Sequence, residues 1–112
     1  MKQARLNRMF NPRSGNCLDV AVDHGFFDDI AFISGIENIT KAIGILVDAG
    51  PDAIQLTQGQ APVLQAIPGK AKPSLVLRVD TANVYGKSLP DVRYNVIIAE
   101  AIETAVRLDA AC

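Results

Sequence analysis

Cys17-Leu18-Asp19-Val20-Ala21-Val22-Asp23-His24-Gly25 is the stretch on which the fold turns. Cys17 to Val22 is mostly apolar, with β-branched Val20 and Val22, and follows the turn cluster Asn11-Pro12-Arg13-Ser14-Gly15-Asn16, so it predicts a strand. Asp23-His24-Gly25 ends that strand. Side chains alternate along a strand, which puts Leu18, Val20 and Val22 on one face and Asp19, Ala21 and Asp23 on the other. The same division recurs downstream. Ala53 to Thr57 sets Ile54 and Leu56 against Ala53, Gln55 and Thr57. Leu75 to Val79 sets Leu75, Leu77 and Val79 against Val76, Arg78 and, just beyond, Asp80. Each strand has a large aliphatic face and a face that is small or polar toward its C-terminal end.

Helical patterns separate these strands. Phe26 to Gly35 predicts a loop or short helix. From Asn38 to Ala49, Ile39, Ala42, Ile43, Leu46 and Val47 follow a helical stripe, and Gly50-Pro51 stops it. A short helix, roughly Ala61 to Ile67, ends at Pro68-Gly69. Asp91 to Leu108 predicts a long helix with Val92, Val96, Ala99, Ile102 and Val106 along one side. Ala110-Ala111-Cys112 is expected to open a fourth strand. Residues 1–16 predict a short N-terminal helix and turn whose apolar side is Leu6, Met9 and Phe10.

Strands alternating with helices pair in parallel through crossovers. Two architectures use this order, the open doubly wound sheet and the (β/α)8 barrel. An open sheet covered on both sides wants both faces apolar. A barrel turns its aliphatic face to the helices and its polar strand ends into the mouth, where Asp23, Gln55, Thr57, Arg78 and Asp80 fall. The expectation is an α/β chain forming the N-terminal part of a TIM barrel. Residues 1–112 then form a single partial domain: about three βα units and the start of a fourth strand.

Composition narrows the function classes. With 49% hydrophobic and 21% charged residues among 112, the chain is too apolar for intrinsic disorder. Eleven basic against twelve acidic residues leave no electrostatic footprint for nucleic acid or an anionic membrane. No apolar run approaches the roughly 20 residues of a membrane helix. Cys17 and Cys112 have no metal-ligand spacing, so both are expected to be reduced thiols. The expected location is the cytoplasm.

Asp23-His24-Gly25 is the most informative local feature: a carboxylate and an imidazole at a strand end suit general acid–base work. The same residues also suit a bland role, Asp23 as a cap and His24 as a hydrogen-bonded core histidine. Arg78 and Asp80 could likewise simply neutralise one another. A metal site would draft His24 with Asp23, Asp28, Asp29 or Glu37, a poor ligand set for zinc. No GxGxxG or Walker-type loop is present, and no cofactor is expected. Gly59-Gln60-Ala61-Pro62 suits a plain βα turn better than a phosphate cradle. Among the lysines, Lys41 falls on a surface helix, Lys70 and Lys72 precede a strand, and Lys87 lies in a loop. None takes the strand-end position that would desolvate an amine for Schiff-base chemistry.

Val20-Ala21-Val22-Asp23-His24-Gly25-Phe26-Phe27 resembles the first-strand motif of the archaeal-type class I fructose-bisphosphate aldolases. That superfamily includes the autoinducer-2-phosphate processing enzymes. The likeness continues through Gly35-Ile36-Glu37-Asn38, Ala49 to Thr57, Leu75-Val76-Leu77-Arg78 and Ala105 to Ala111. The resemblance implies a barrel that makes or breaks carbon–carbon bonds in a phosphorylated sugar or related ketone through a lysine Schiff base. It implies a homo-oligomer at full length. It makes Asp23 the first-strand acid and His24 its neighbour in the substrate pocket. The Schiff-base lysine of that family comes from a later strand, so this segment alone is expected to be inactive. Gln55, Thr57, Arg78 and Asp80 are assigned to substrate binding by strand parity only. The competing expectation is a flavodoxin-like or half-barrel module that binds a small molecule or its own copy without catalysis.

Overall fold

The structure, a computed structural model, describes residues 2–27, 30–83 and 95–112, with Phe26 described in its backbone alone. Three short strands form a parallel sheet in the order β1 (Asp19–Ala21), β2 (Ala53–Thr57), β3 (Ser74–Arg78). Helix α2 (Ile39–Ala49) connects β1 to β2, and α3 (Ala61–Gln65) connects β2 to β3. The central strand is β2, with β1 and β3 on either side. A flavodoxin-like sheet would instead hold its first strand between the second and third.

Local chemistry explains why α2 starts and stops where it does. Asn38 caps it, its side-chain oxygen accepting from the Lys41 amide at 3.0 Å. Gly50 ends it at φ 70°, where a side chain would be strained, and its N–H donates to the Leu46 and Val47 carbonyls. The expected stripe is the one used: Ile43 is fully buried, with Ile39, Leu46 and Val47 packed around it.

Register carries the alternation across the sheet. Asp19 lies opposite Ala53, Ala21 opposite Gln55, Gln55 opposite Val76 and Thr57 opposite Arg78. Ile54, Leu56, Leu75 and Leu77 consequently share the other face, where they meet Ile43, Ala61, Leu64 and Val22 in the main core. At its N-terminal end the polar-bearing face is covered by α1 (Lys2–Leu6) and the turn after it. There Met9, Leu6 and Cys17 pack with Ala53, Val76 and Ala111.

The end of the chain lies beside β3. The Ala111 amide donates to the Leu75 carbonyl and the Leu77 amide to the Cys112 carbonyl, each at 2.8 Å. Both segments ascend together, so Ala111-Cys112 occupies the fourth parallel position. Arg5 and Arg8 reach the same turn from α1. Arg5 Nη1 donates to the Ala110 carbonyl at 2.9 Å, and Arg8 Nη1 to Asp109 Oδ2 at 2.8 Å.

Several sequence expectations are corrected. The helix expected over Asp91–Leu108 is instead strand β5 (Asn95–Ile97), antiparallel to β4 (Asp80–Ala82), followed by α4 (Ala101–Arg107). Positions 91–94 lie outside the described residues. Val96, Ile97 and Ile98 are β-branched: Val96 pairs with Thr81, Ile97 with Asp80, and the Ile98 amide donates to the Val79 carbonyl, while Glu100, at φ 54°, separates strand from helix. The expected stripe faces the wrong way: Val96, Ile102 and Val106 are exposed, and α4 buries Thr104 with Ala105 and Leu108 packed inward. Phe10 and Leu18 are also exposed. Leu18 precedes a strand at the edge of the sheet and, among the described residues, has a backbone hydrogen-bond neighbour on one side only, Asp52-Ala53. Strand β1 is shorter than Cys17–Val22, although Leu18 and Val22 continue its hydrogen bonding to β2. The stretch after Asp23 forms two 3₁₀ turns, His24–Phe27 and Ile30–Ile33.

Candidate active site

The polar strand ends converge beyond the C-terminal edge of the sheet. Asp23 follows β1 and is only 2% exposed. A carboxylate so buried is costly unless compensated, and both neighbouring strands compensate it. Gln55 Nε2 donates to Asp23 Oδ2 at 2.9 Å, and Arg78 Nη1 donates to the same oxygen at 3.3 Å. The register that sets Gln55 beside Ala21 and Arg78 beside Thr57 brings these donors to one point.

Arg78 serves two acids. Its Nε and Nη2 form a fork on the two oxygens of Asp80, and the Nε contact is a very short one. The Asp80 hydrogen bond, opposed by partial burial, holds the guanidinium pKa above its ordinary value. The Phe27 ring covers the guanidinium, with Cζ 5.7 Å from its centroid, and packs in turn on Phe32 at 5.4 Å. Burial, and then the nearby charge of Asp23, push the Asp19 carboxyl above the usual range. The polar face thus carries an acid that is paired, Asp23, and one that is raised, Asp19.

A cleft of about 300 Å³ opens beside this cluster, lined by Gly25, Thr57, Gln60, Arg78, Asp80 and Thr81 among others. Among the described residues the Thr57 hydroxyl makes no hydrogen bond, so it is available to a ligand. Its backbone amide is taken by Gln60 Oε1 at 2.9 Å, and Gln60 Nε2 donates to the Val22 carbonyl at 3.2 Å. Those bonds make Gly59-Gln60-Ala61-Pro62 a βα turn braced by a side chain.

All six residues named from the sequence therefore fall at one end of the sheet, and four share one network: Asp23, Gln55, Arg78 and Asp80. Thr57 faces the adjoining cleft. His24 stands apart from the network. Its Nδ1 is buried and finds no hydrogen-bond partner among the described residues, which overturns the hydrogen-bonded core histidine at that atom. Asp23 is no cap either, since its hydrogen bonds run to Gln55 and Arg78. Phe27, Gln60 and Thr81 were not expected at the site. Phe27 lies within the aldolase-like motif, but an aromatic ring carries no parity signal that would pair it with an arginine 51 positions away.

Lys72 spends its ammonium on the carbonyls of Leu64, Gln65 and Ile67 at 3.2, 3.0 and 3.1 Å, closing the C-terminal end of α3. It is a structural cation. Asp28, Asp29 and Lys87 lie outside the described residues. Glu37 accepts from the Gly35 amide at 2.9 Å, and backbone N–H groups hold its carboxyl below the usual range. Among the described residues no three His, Cys, Asp or Glu side chains gather to hold a metal ion, and no helix is long and apolar enough to cross a membrane.

A buried, charge-paired carboxylate thus stands at the C-terminal edge of a parallel α/β sheet, beside a cleft with a hydroxyl and a guanidinium, an arrangement chemically able to take up and return a proton. No protein-family model matches the chain. Among curated proteins it is similar to the 3-hydroxy-5-phosphonooxypentane-2,4-dione thiolase of Yersinia pestis, 35% identical over 109 residues. It is 36% identical over 109 residues to the protein of that name from Yersinia pseudotuberculosis, and 34% over 110 residues to that of Escherichia coli. Each alignment covers 96% of this chain and 34% of the relative, so the chain spans about a third of the length of the curated relatives it matches.

Proposed function

We propose that this chain is the N-terminal part of a (β/α)8-barrel enzyme that makes or breaks a carbon–carbon bond in a phosphorylated sugar or related ketone. The observation that carries the reading is the Asp23 carboxylate, buried at the end of β1 and held from β2 and β3. Three features support the barrel: sequential parallel order, a polar-bearing face opposite the helices, and Ala111-Cys112 in the fourth parallel position. The substrate class is supported by the relatives, whose name specifies a phosphorylated hydroxy-dione. The finer assignment, an archaeal-type class I aldolase mechanism, rests on the motif around Asp23-His24-Gly25.

In this mechanism Asp23 assists the proton transfers by which a lysine amine adds to the substrate carbonyl and the carbinolamine loses water to give an iminium. The electrons of the breaking carbon–carbon bond then form the enamine double bond while the iminium π electrons return to nitrogen, the substrate hydroxyl giving up its proton to a group from a later strand. The resemblance around Asp23-His24-Gly25 places the iminium lysine on a later strand, beyond residue 112; Lys72 is committed to three carbonyls and Lys41 lies on α2. Thr57 and His24 contact the substrate. Borohydride trapping of the full-length protein with a dihydroxyacetone-type ketone tests this. The expected result is one reduced lysine adduct mapping outside residues 1–112. Absence of any adduct refutes the Schiff-base mechanism, and an adduct on Lys41 or Lys87 refutes the placement of the lysine beyond residue 112. Light scattering is expected to show a full-length homo-oligomer, and a monomer would remove that part.

A further inference from the structure

We infer that Gln55 and Arg78 are positioning residues rather than substrate ligands, and that they pin Asp23 by one oxygen so that the other, Oδ1, is the oxygen that exchanges protons. The inference deepens the acid–base role proposed for Asp23. Both donors converge on Oδ2, at 2.9 Å from Gln55 Nε2 and 3.3 Å from Arg78 Nη1. Among the described residues Oδ1 accepts no hydrogen bond. Two donors on one oxygen draw negative charge to it and fix the carboxylate plane. Rotation about Cβ–Cγ merely exchanges two equivalent oxygens, so one is always pinned and one always available.

The residue types suit these tasks. Gln55 makes the shorter contact, and a neutral amide supplies a donor without bringing a second charge. A glutamate there would set two carboxylates at hydrogen-bond distance and force them to share a proton. Arg78 cannot rotate away, because its Asp80 fork and the Phe27 ring hold the guanidinium plane. Strand register supplies the precision: β2 and β3 carry both donors on the buried, hydrogen-bonded part of the sheet.

A positioning role and a substrate-binding role differ in which kinetic constant they move. In the full-length enzyme, Gln55→Met keeps side-chain length and removes the donor. Loss of one hydrogen bond to a charged group predicts a roughly tenfold to hundredfold fall in kcat with KM changed less than about twofold. A rise in KM at unchanged kcat would make Gln55 a substrate ligand and overturn the inference. Gln55→Glu, nearly isosteric, serves as the second variant and is expected to lose kcat likewise.

An activity-independent arm separates this from the aldolase assignment. In ligand-free protein, one Gln55 side-chain amide proton is expected downfield in the NMR spectrum, bonded to the carboxylate, and Asp23→Asn should move it back. An amide signal unaffected by Asp23→Asn overturns the inference even in an active enzyme. A signal that moves, in a protein that yields no lysine adduct, leaves the pinning of Asp23 intact and removes the Schiff-base reading alone.

Discussion

Arg78→Met is the perturbation that asks most of the site. It leaves Asp23, 2% exposed, with Gln55 as its remaining side-chain donor among the described residues. At 3.3 Å the Asp23–Arg78 pair has a gross attraction of about 5 kcal/mol at an effective dielectric constant of about 20. The arginine side chain is 26% exposed, so water screens part of that attraction and already solvates the cation in part. Truncating one partner of a fully buried pair costs about 3–5 kcal/mol. The partly exposed arginine places the expected loss at roughly 2–3 kcal/mol, with the similarly exposed Asp80 contact adding at most about 1 kcal/mol.

Urea denaturation of the full-length protein near neutral pH measures this loss. Asp23→Asn combined with Arg78→Met should recover part of it, because no buried charge is then stranded. A variant within about 0.5 kcal/mol of wild type, with no recovery in the double variant, refutes the claim that Arg78 compensates a buried charge.

Three further outcomes follow from contacts away from the cleft. Lys72→Met strips three carbonyls at the end of α3 of their donor and should cost about 1–3 kcal/mol in denaturant titrations. Gly50→Ala forces a side chain into the left-handed region at φ 70°; no atom lies within 4 Å to clash, so the expected loss is the backbone strain alone, about 1 kcal/mol by thermal unfolding. The Arg8 hydrogen bond holds the Asp109 carboxyl below the usual range, so its contribution is present above the unfolded pKa and is lost as pH falls through the folded one. Arg8→Ala should flatten that acid limb of the stability profile by about 1 kcal/mol or less, since Asp109 is largely exposed.

Much of the architecture was legible because its signals are local. Helix α2 shows a continuous stripe and a terminal glycine, each used as expected, and Asn38, which opens the segment, caps it. Strand β2 runs over Ala53–Thr57 as expected, because alternation between Gly50-Pro51 and the next helix leaves it no other length. The region after Asp80 was not legible. Val96, Ile102 and Val106 keep a helical spacing across what is a strand, a turn and a helix rotated to bury Thr104 instead. Short β-branched runs satisfy either periodicity, and only a partner strand decides between them. Here that partner is Asp80–Ala82.

The site divides along the same line. Alternation by itself put Asp23, Gln55, Thr57, Arg78 and Asp80 at one end of one face, since a period of two sorts side chains before any strand is paired. It could not say which of them touch. Parallel register across three strands decided that, bringing Gln55 and Arg78 to the same oxygen of Asp23 and leaving Thr57 to the cleft. Sequence carries periodicity along one chain, whereas a hydrogen bond between residues 23 and 78 depends on how separate strands are slid past one another. Packing of the aliphatic face against α2 and α3 sets that slide. The chemistry of this chain was written in its residue types, and the assignment of donor to acceptor was made by the fold.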